Sequence, residues 1–156
     1  MLMVALPYEP ELRLEYLALD YNGTLALDGV LVPGVAENLA ALAEVLEIRV
    51  VTADTFGLAR SGLAGLPVEL TILPSGNVGE AKLVEINKLG ADRTAAIGNG
   101  RNDRLMLRHC ALGLAVVGPE GASRDALREA RLVFNDINSA LGALLNPLRL
   151  TAGLRN

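Results

Sequence analysis

Six short apolar runs, separated by stretches of helical period, constrain this chain more than any other feature of its sequence. The runs are Leu14–Leu19, Ile48–Val51, Val68–Leu73, Thr94–Ile97, Leu112–Val116 and Arg131–Phe134. Between and after them lie Val35–Leu46, Phe56–Leu63, Glu80–Leu89, Asp103–His109, Ala122–Ala130 and Ile137–Leu145, where apolar residues recur three and four apart. A strand with no polar face must be covered on both sides, and a helix between two such strands returns the chain parallel to itself. The pattern therefore predicts a three-layer, Rossmann-like α/β sandwich with a mostly parallel sheet. Met3–Leu6 is read as an antiparallel edge strand that turns back through Pro7–Pro10. With 156 residues the chain is expected to be one domain, its core spanning about 14–145 and a tail covering 146–156.

One segment breaks the alternation. Thr24–Gly34 follows the first strand where a helix would be expected, and Asp28-Gly29 sits there between apolar pairs. An Asp-Gly pair supplies the left-handed turn of a two-residue hairpin, so a small β-hairpin is expected over the carboxyl edge of the first strand.

Composition excludes several classes. Net charge is −4 and aromatic residues are 3% of the chain, so neither a phosphate-backbone binder nor a base-stacking platform is well supplied, and no nucleic-acid partner is expected. No apolar run approaches the roughly 18 residues of a membrane span, so no membrane partner is expected either. The N-terminal residues lack the charged start and apolar length of a signal peptide. A lone Cys110 cannot form an internal disulfide. Together these point to a cytoplasmic setting. His109 and Cys110 are adjacent, and neighbours on a helix point about 100° apart, so they do not make a natural metal pair.

In open parallel sheets ligands bind outside the carboxyl ends of the strands, which makes the residues there informative. The first run leads into Asp20-Tyr21-Asn22-Gly23-Thr24, the second into Thr52-Ala53-Asp54, the third precedes a helix carrying Lys82, and the fourth leads into Gly98-Asn99-Gly100-Arg101-Asn102-Asp103. A carboxylate, a hydroxyl, an ammonium and a second carboxylate suit phosphoryl transfer. Asp20 can attack phosphorus, Lys82 can neutralise charge, and Thr52 and the backbone N–H groups near Gly23 can bind phosphoryl oxygens. Taken singly, each residue has a plainer reading: Asp20 as a turn residue, Thr52 as a strand-end hydroxyl, Lys82 as a solvated charge, Asp103 as a first-turn acid. Their order at successive strand ends is what joins them.

The ordered set Asp20–Leu25, Val51–Asp54, Lys82 and Ile97–Asp103 resembles the four motifs of the haloacid dehalogenase (HAD) superfamily. Gly98–Asp103, followed by Met106-Leu107 and Ala111–Ala115, is similar to the hinge motif of P-type ATPases. The nearest resemblance is to the small soluble P-type ATPase-like HAD hydrolases. It implies a HAD-like fold, a hairpin flap, and a magnesium-dependent phosphohydrolase or phosphoryl-transfer enzyme working through an aspartyl-phosphate. Asp20 would be the nucleophile. Gly23, Thr24, Thr52, Ala53 and Lys82 would surround the phosphate. Asp20, Asp103 and the backbone carbonyl of Asn22 would hold Mg2+, with Asn99 and Asn102 supporting the fourth motif.

Two positions depart from HAD phosphatases. Where an aspartate usually protonates the leaving group stands Asn22, which transfers no proton at neutral pH. Acid–base help is worth about 10²–10⁴-fold, so slow turnover is expected. Asn99 stands where an aspartate often lies near the metal. Asp54 is read as a cap for the next helix rather than a proton carrier. The intervals between motifs are too short to hold a cap domain, so the site is expected to be open. That suits a phosphorylated substrate, macromolecules included, or a homo-oligomer whose neighbour shields the site. Two further readings stay open. One is a catalytically attenuated HAD-fold binding or regulatory protein. The other is a receiver domain, which leaves the flap and Gly98–Asp103 unexplained.

Overall fold

The computed structural model describes residues 1–155. Its elements in chain order are β1 Leu2–Val4, β2 Leu12–Leu14, β3 Tyr16–Leu19, β4 Ala26–Leu27, β5 Val30–Leu31, α1 Val35–Leu42, β6 Glu47–Thr52, α2 Ala59–Gly62, β7 Glu69–Ile72, α3 Val78–Leu89, β8 Thr94–Gly98, α4 Arg104–His109, β9 Leu112–Val116, α5 Arg124–Glu129, β10 Leu132–Phe134, α6 Ile137–Leu145 and α7 Leu148–Gly153. The main sheet has six strands in the order β10-β9-β8-β3-β6-β7, and every pairing is parallel. The expected α/β sandwich is the architecture found.

Alternation along the strands divides the interior in two. Leu17, Leu19, Val50, Ile97 and Leu114 enter the larger core with Leu39 and Leu42 of α1 and Leu141 and Leu144 of α6. The opposite face carries small residues: Ala18 and Ala96 meet Ile86 of α3, Met106 and Leu107 of α4, and Ala126 of α5. Small strand residues let these helices lie close. At Gly113 of β9 a β-carbon would strike the Leu107 carbonyl, so only glycine admits α4 at that distance.

Four sequence expectations change. The first apolar run is two strands: Leu12–Leu14 pairs antiparallel with Leu2–Val4, and only Tyr16–Leu19 joins the main sheet. Met3–Leu6 therefore contributes to a separate ribbon and not to an edge of the sandwich. The helix expected over Phe56–Leu63 shrinks to one turn, because Asp54 and Gly57 both hold positive φ, at 51° and 68°, and delay its start. The helix expected over Val35–Leu46 ends at Leu42. The tail, by contrast, is helical over Leu148–Gly153, with Leu150 fully buried and Thr151 Oγ1 donating to the Ala5 carbonyl at 2.7 Å.

The expected hairpin is present as β4–β5, paired through Ala26–Leu31 and Leu27–Val30. Asp28 and Gly29 both have positive φ, at 52° and 81°, as a two-residue turn with matching twist demands. Tyr21 holds this flap from below. Its ring is wholly buried and its hydroxyl donates to the Gly29 carbonyl at 2.9 Å.

Candidate active site

β3 is where the chain changes direction across the sheet: β6 and β7 lie on one side of it, β8 to β10 on the other. A crevice opens at the carboxyl ends of strands at such a switch point. Asp20 follows β3 directly, and its N–H donates to the Ile97 carbonyl at 3.0 Å, so the backbone of β8 fixes its position. Asp20, Asn22, Thr52, Ala53, Thr55, Asn99, Gly100 and Asn102 line a cleft of about 230 Å³ there.

Beneath the cleft lies a buried ion triad. Lys82 Nζ donates to Asp20 Oδ1 and to Asp103 Oδ1, each at 2.6 Å. Lys82 is 1% exposed, Asp103 0% and Asp20 6%, so the group is withdrawn from solvent. Lys82 reaches it from α3, whose start is set by Asn77, the Oδ1 of which accepts the Glu80 N–H at 3.3 Å. Burial pushes the Asp20 carboxyl up to about 6, helped by the negative charge of Asp103 and opposed by Lys82 and Thr24. Burial by itself would lower the pKa of Lys82, but the two carboxylates outweigh it and hold the ammonium charged.

The polar groups near Asp20 are only partly committed. Thr24 Oγ1 lies 3.1 Å from Asp20 Oδ2 and 3.3 Å from Asn99 Oδ1, two acceptors sharing one hydroxyl donor. The Asp54 N–H donates to Thr52 Oγ1 at 3.0 Å, leaving the buried Thr52 hydroxyl hydrogen free to donate elsewhere. Asp54 Oδ1 accepts the Ala59 N–H at 3.0 Å, which is the capping role expected for it. Asn22 Oδ1 is buried without a partner among the described residues.

Asp103 differs from expectation in its surroundings. Its Oδ1 accepts from Lys82, and its Oδ2 accepts the N–H groups of Asn99 at 3.0 Å and Gly100 at 2.9 Å. It does not line the cleft. The oxygen-bearing side chains that line the cleft belong instead to Asp20, Asn22, Thr52, Thr55, Asn99 and Asn102. That donor set has one carboxylate, and among the described residues no three His, Cys, Asp or Glu side chains cluster as metal ligands. Magnesium binds through one or two carboxylates and keeps its remaining positions for other oxygens, so a donor set of one carboxylate with amide and hydroxyl oxygens fits such an ion.

The roles of three contributing residues escape a sequence reading. Gly98 matters because a β-carbon there would stand 2.5 Å from Asp103 Cγ, and only glycine leaves room for that carboxylate. Tyr21 could not be told from any core aromatic. Glu120, in the loop after β9, reaches back so that Oε1 accepts the Asp28 N–H of the flap at 3.4 Å, and a β-carbon on Gly23 would be 2.5 Å from its Oε2. No local pattern marks it. His109 and Cys110 stay outside the cleft, and burial pushes the Cys110 thiol up to about 12.

No family model matches the chain. An uncharacterized protein of Methanocaldococcus jannaschii is 48% identical over 61 residues, which is 39% of this chain and 66% of that protein. The chain thus spans just under two thirds of that relative's length. Among solved structures, 3-deoxy-D-manno-octulosonate 8-phosphate phosphatase of Moraxella catarrhalis, in complex with magnesium, phosphate and the sugar acid, superposes with a TM-score of 0.71. Identity is 15%, with 89% of this chain and 90% of that one covered. A zinc-transporting PIB-type ATPase gives a TM-score of 0.64 at 22% identity, over 78% of this chain and 20% of the ATPase. The chain has the fold of the HAD superfamily hydrolases. No helix among the described residues is long and apolar enough to cross a membrane.

Proposed function

We propose that this chain is a phosphohydrolase that forms an aspartyl-phosphate on Asp20. One observation carries the reading: a buried lysine fixes the Asp20 carboxylate from below while the cleft leaves it open from above. An ion triad built only for stability would be a poor choice, since burying charge costs about as much as the pairing returns. The triad instead aims a nucleophile. Lys82 and Thr24 hold the two Asp20 oxygens, and the Thr52 hydroxyl and the backbone at Ala53 bind phosphoryl oxygens. The Gly23 N–H, expected to join them, is instead spent on the Ala26 carbonyl at 2.8 Å. Asp103 acts through Lys82 and through the Asn99–Gly100 backbone. Magnesium, held by Asp20, the Asn22 carbonyl and Asn99 together with the phosphate, would neutralise part of its charge.

In the first step an Asp20 oxygen bonds to phosphorus and the ester oxygen departs with its electron pair. Asn22 cannot supply a proton, so water does. Asn22 Oδ1 remains able to accept a hydrogen bond from the released alcohol. In the second step water attacks the aspartyl-phosphate, returning phosphate and the Asp20 carboxylate. Both steps lack a resident acid–base group, so turnover is slow.

Hydrolysis of an aryl phosphate with magnesium tests the reading in wild type, Asp20→Asn and Asn22→Asp. Wild type should turn over slowly, Asp20→Asn should lose at least about 10³-fold, and Asn22→Asp should gain about 10²-fold. The amides Asn22 and Asn99 support a second reading, a protein that binds phosphorylated partners without turning them over. That reading predicts three inert proteins and phosphate binding that survives Asp20→Asn.

A further inference from the structure

Beside the cleft, under the flap, lies a second and larger cavity of about 390 Å³, within the range of small-molecule sites. The flap contributes Leu27 and Val30, the segment behind it Val32, the end of β9 Val116, its loop Pro119, and the start of α6 Ile137. Thr24 belongs to its wall and is also the residue that donates to Asp20 Oδ2 at 3.1 Å. One hydrogen bond therefore separates the nucleophile from this chamber. Among the described residues, the only charged ones on its wall are Glu120 and Asp136, both acids. Asp136 is committed to α6, accepting Ser139 N–H at 2.8 Å and Ser139 Oγ at 2.6 Å. Glu120 lies on the cavity wall, where its Oε1 accepts the Asp28 N–H of the flap. No described lysine, arginine or histidine lines either space, and Lys82 is already bound by two carboxylates.

Resting on the hydrolase reading, we infer that this cavity receives the alcohol part of a phosphate monoester that is apolar, aryl or alkyl, and carries no second anionic group. The wall complements such a group on two counts. Its aliphatic side chains gain from covering apolar surface, about fourfold in affinity for each methylene buried. Its acids disfavour a further carboxylate or phosphate, for which no cation is available.

The experiment compares kcat/KM for 1-naphthyl phosphate, 3-phosphoglycerate and the small donor acetyl phosphate, with magnesium, in wild type, Val30→Glu and Glu120→Lys. Val30 is 67% exposed, so the charge is tolerated by the fold. Relative to acetyl phosphate, naphthyl phosphate should fall about tenfold in Val30→Glu, and 3-phosphoglycerate should rise about tenfold in Glu120→Lys. Calorimetry with Asp20→Asn should show naphthyl phosphate binding more tightly than 3-phosphoglycerate. Turnover that depends on Asp20 but keeps the same substrate ratios in all three proteins overturns the inference and leaves the hydrolase reading intact. Absence of Asp20-dependent turnover of every substrate removes the hydrolase reading and the inference with it.

Discussion

Lys82 lies between two carboxylates with almost no exposure, and the three residues of that triad do not contribute equally. Removing the ammonium leaves Asp20 and Asp103 buried and facing each other. Lys82→Met should therefore destabilise by about 3–5 kcal/mol, measured by urea denaturation. Asp20→Asn goes the other way. A carboxyl raised to about 6 by burial and by Asp103 favours its neutral form in the fold, so an amide at that position should leave the melting temperature at pH 7 unchanged or higher. The sign follows from linkage. Because the folded value exceeds the unfolded 3.8, the contribution of Asp20 to stability is complete below about pH 3.8 and is lost as pH rises through about 6. Melting curves from pH 4 to 7 should show this fall in wild type and a flatter profile in Asp20→Asn. Identical profiles would mean that Asp20 ionises as it does in the unfolded chain. The identity of these residues was legible in the sequence, because each is a reactive type at a strand end or in the segment that follows one, Lys82 within α3. The division of labour between Asp103 and the cleft oxygens was not, since exposure is decided by neighbours distant in the chain.

Elements position the site by their ends and by their closeness. α3 delivers Lys82 from a start fixed by Asn77, and loss of that cap in Asn77→Ala should cost about 1 kcal/mol. Because the same helix carries the triad's cation, kcat should fall while KM for an aryl phosphate holds. The close approach of α4 to β9 depends on Gly113. Gly113→Ala should destabilise by about 1–3 kcal/mol or more, since the added carbon meets backbone that cannot rotate away. A thermal unfolding midpoint equal to that of wild type would refute this account of the α4–β9 contact. Sequence period sufficed to find β6 through β10 and most helices, because each is amphipathic or wholly apolar over its length. It failed at Leu14–Leu19 and Phe56–Leu63. In the first, strand pairing changes partner at Glu15, whose N–H donates to Arg93 and whose carbonyl accepts from Glu47. In the second, positive φ at Asp54 and Gly57 overrides apolar spacing.

At the scale of the whole molecule, the two cavities, the flap and the triad gather on one edge of the sheet, so a ligand there should stabilise the entire fold. Magnesium with inorganic phosphate at about a hundred times its dissociation constant should add about 2.7 kcal/mol, read as a rise in melting temperature. The rise should be smaller with phosphate alone, since a donor set with one carboxylate holds the ion mainly through the phosphate. What the sequence by itself determined was the alternation of apolar strands and helices, the Asp-Gly flap turn, and the set of reactive side chains at successive strand ends. These depend on periodicity and on local turn chemistry, which act between residues close in the chain. Only the tertiary structure decided that Asp103 turns inward to Lys82, that Glu120 meets the flap from ninety-two residues away, and that an apolar chamber opens beside Asp20. Burial and long-range contact arise only when strands pair and helices pack, and no stretch of sequence carries them alone.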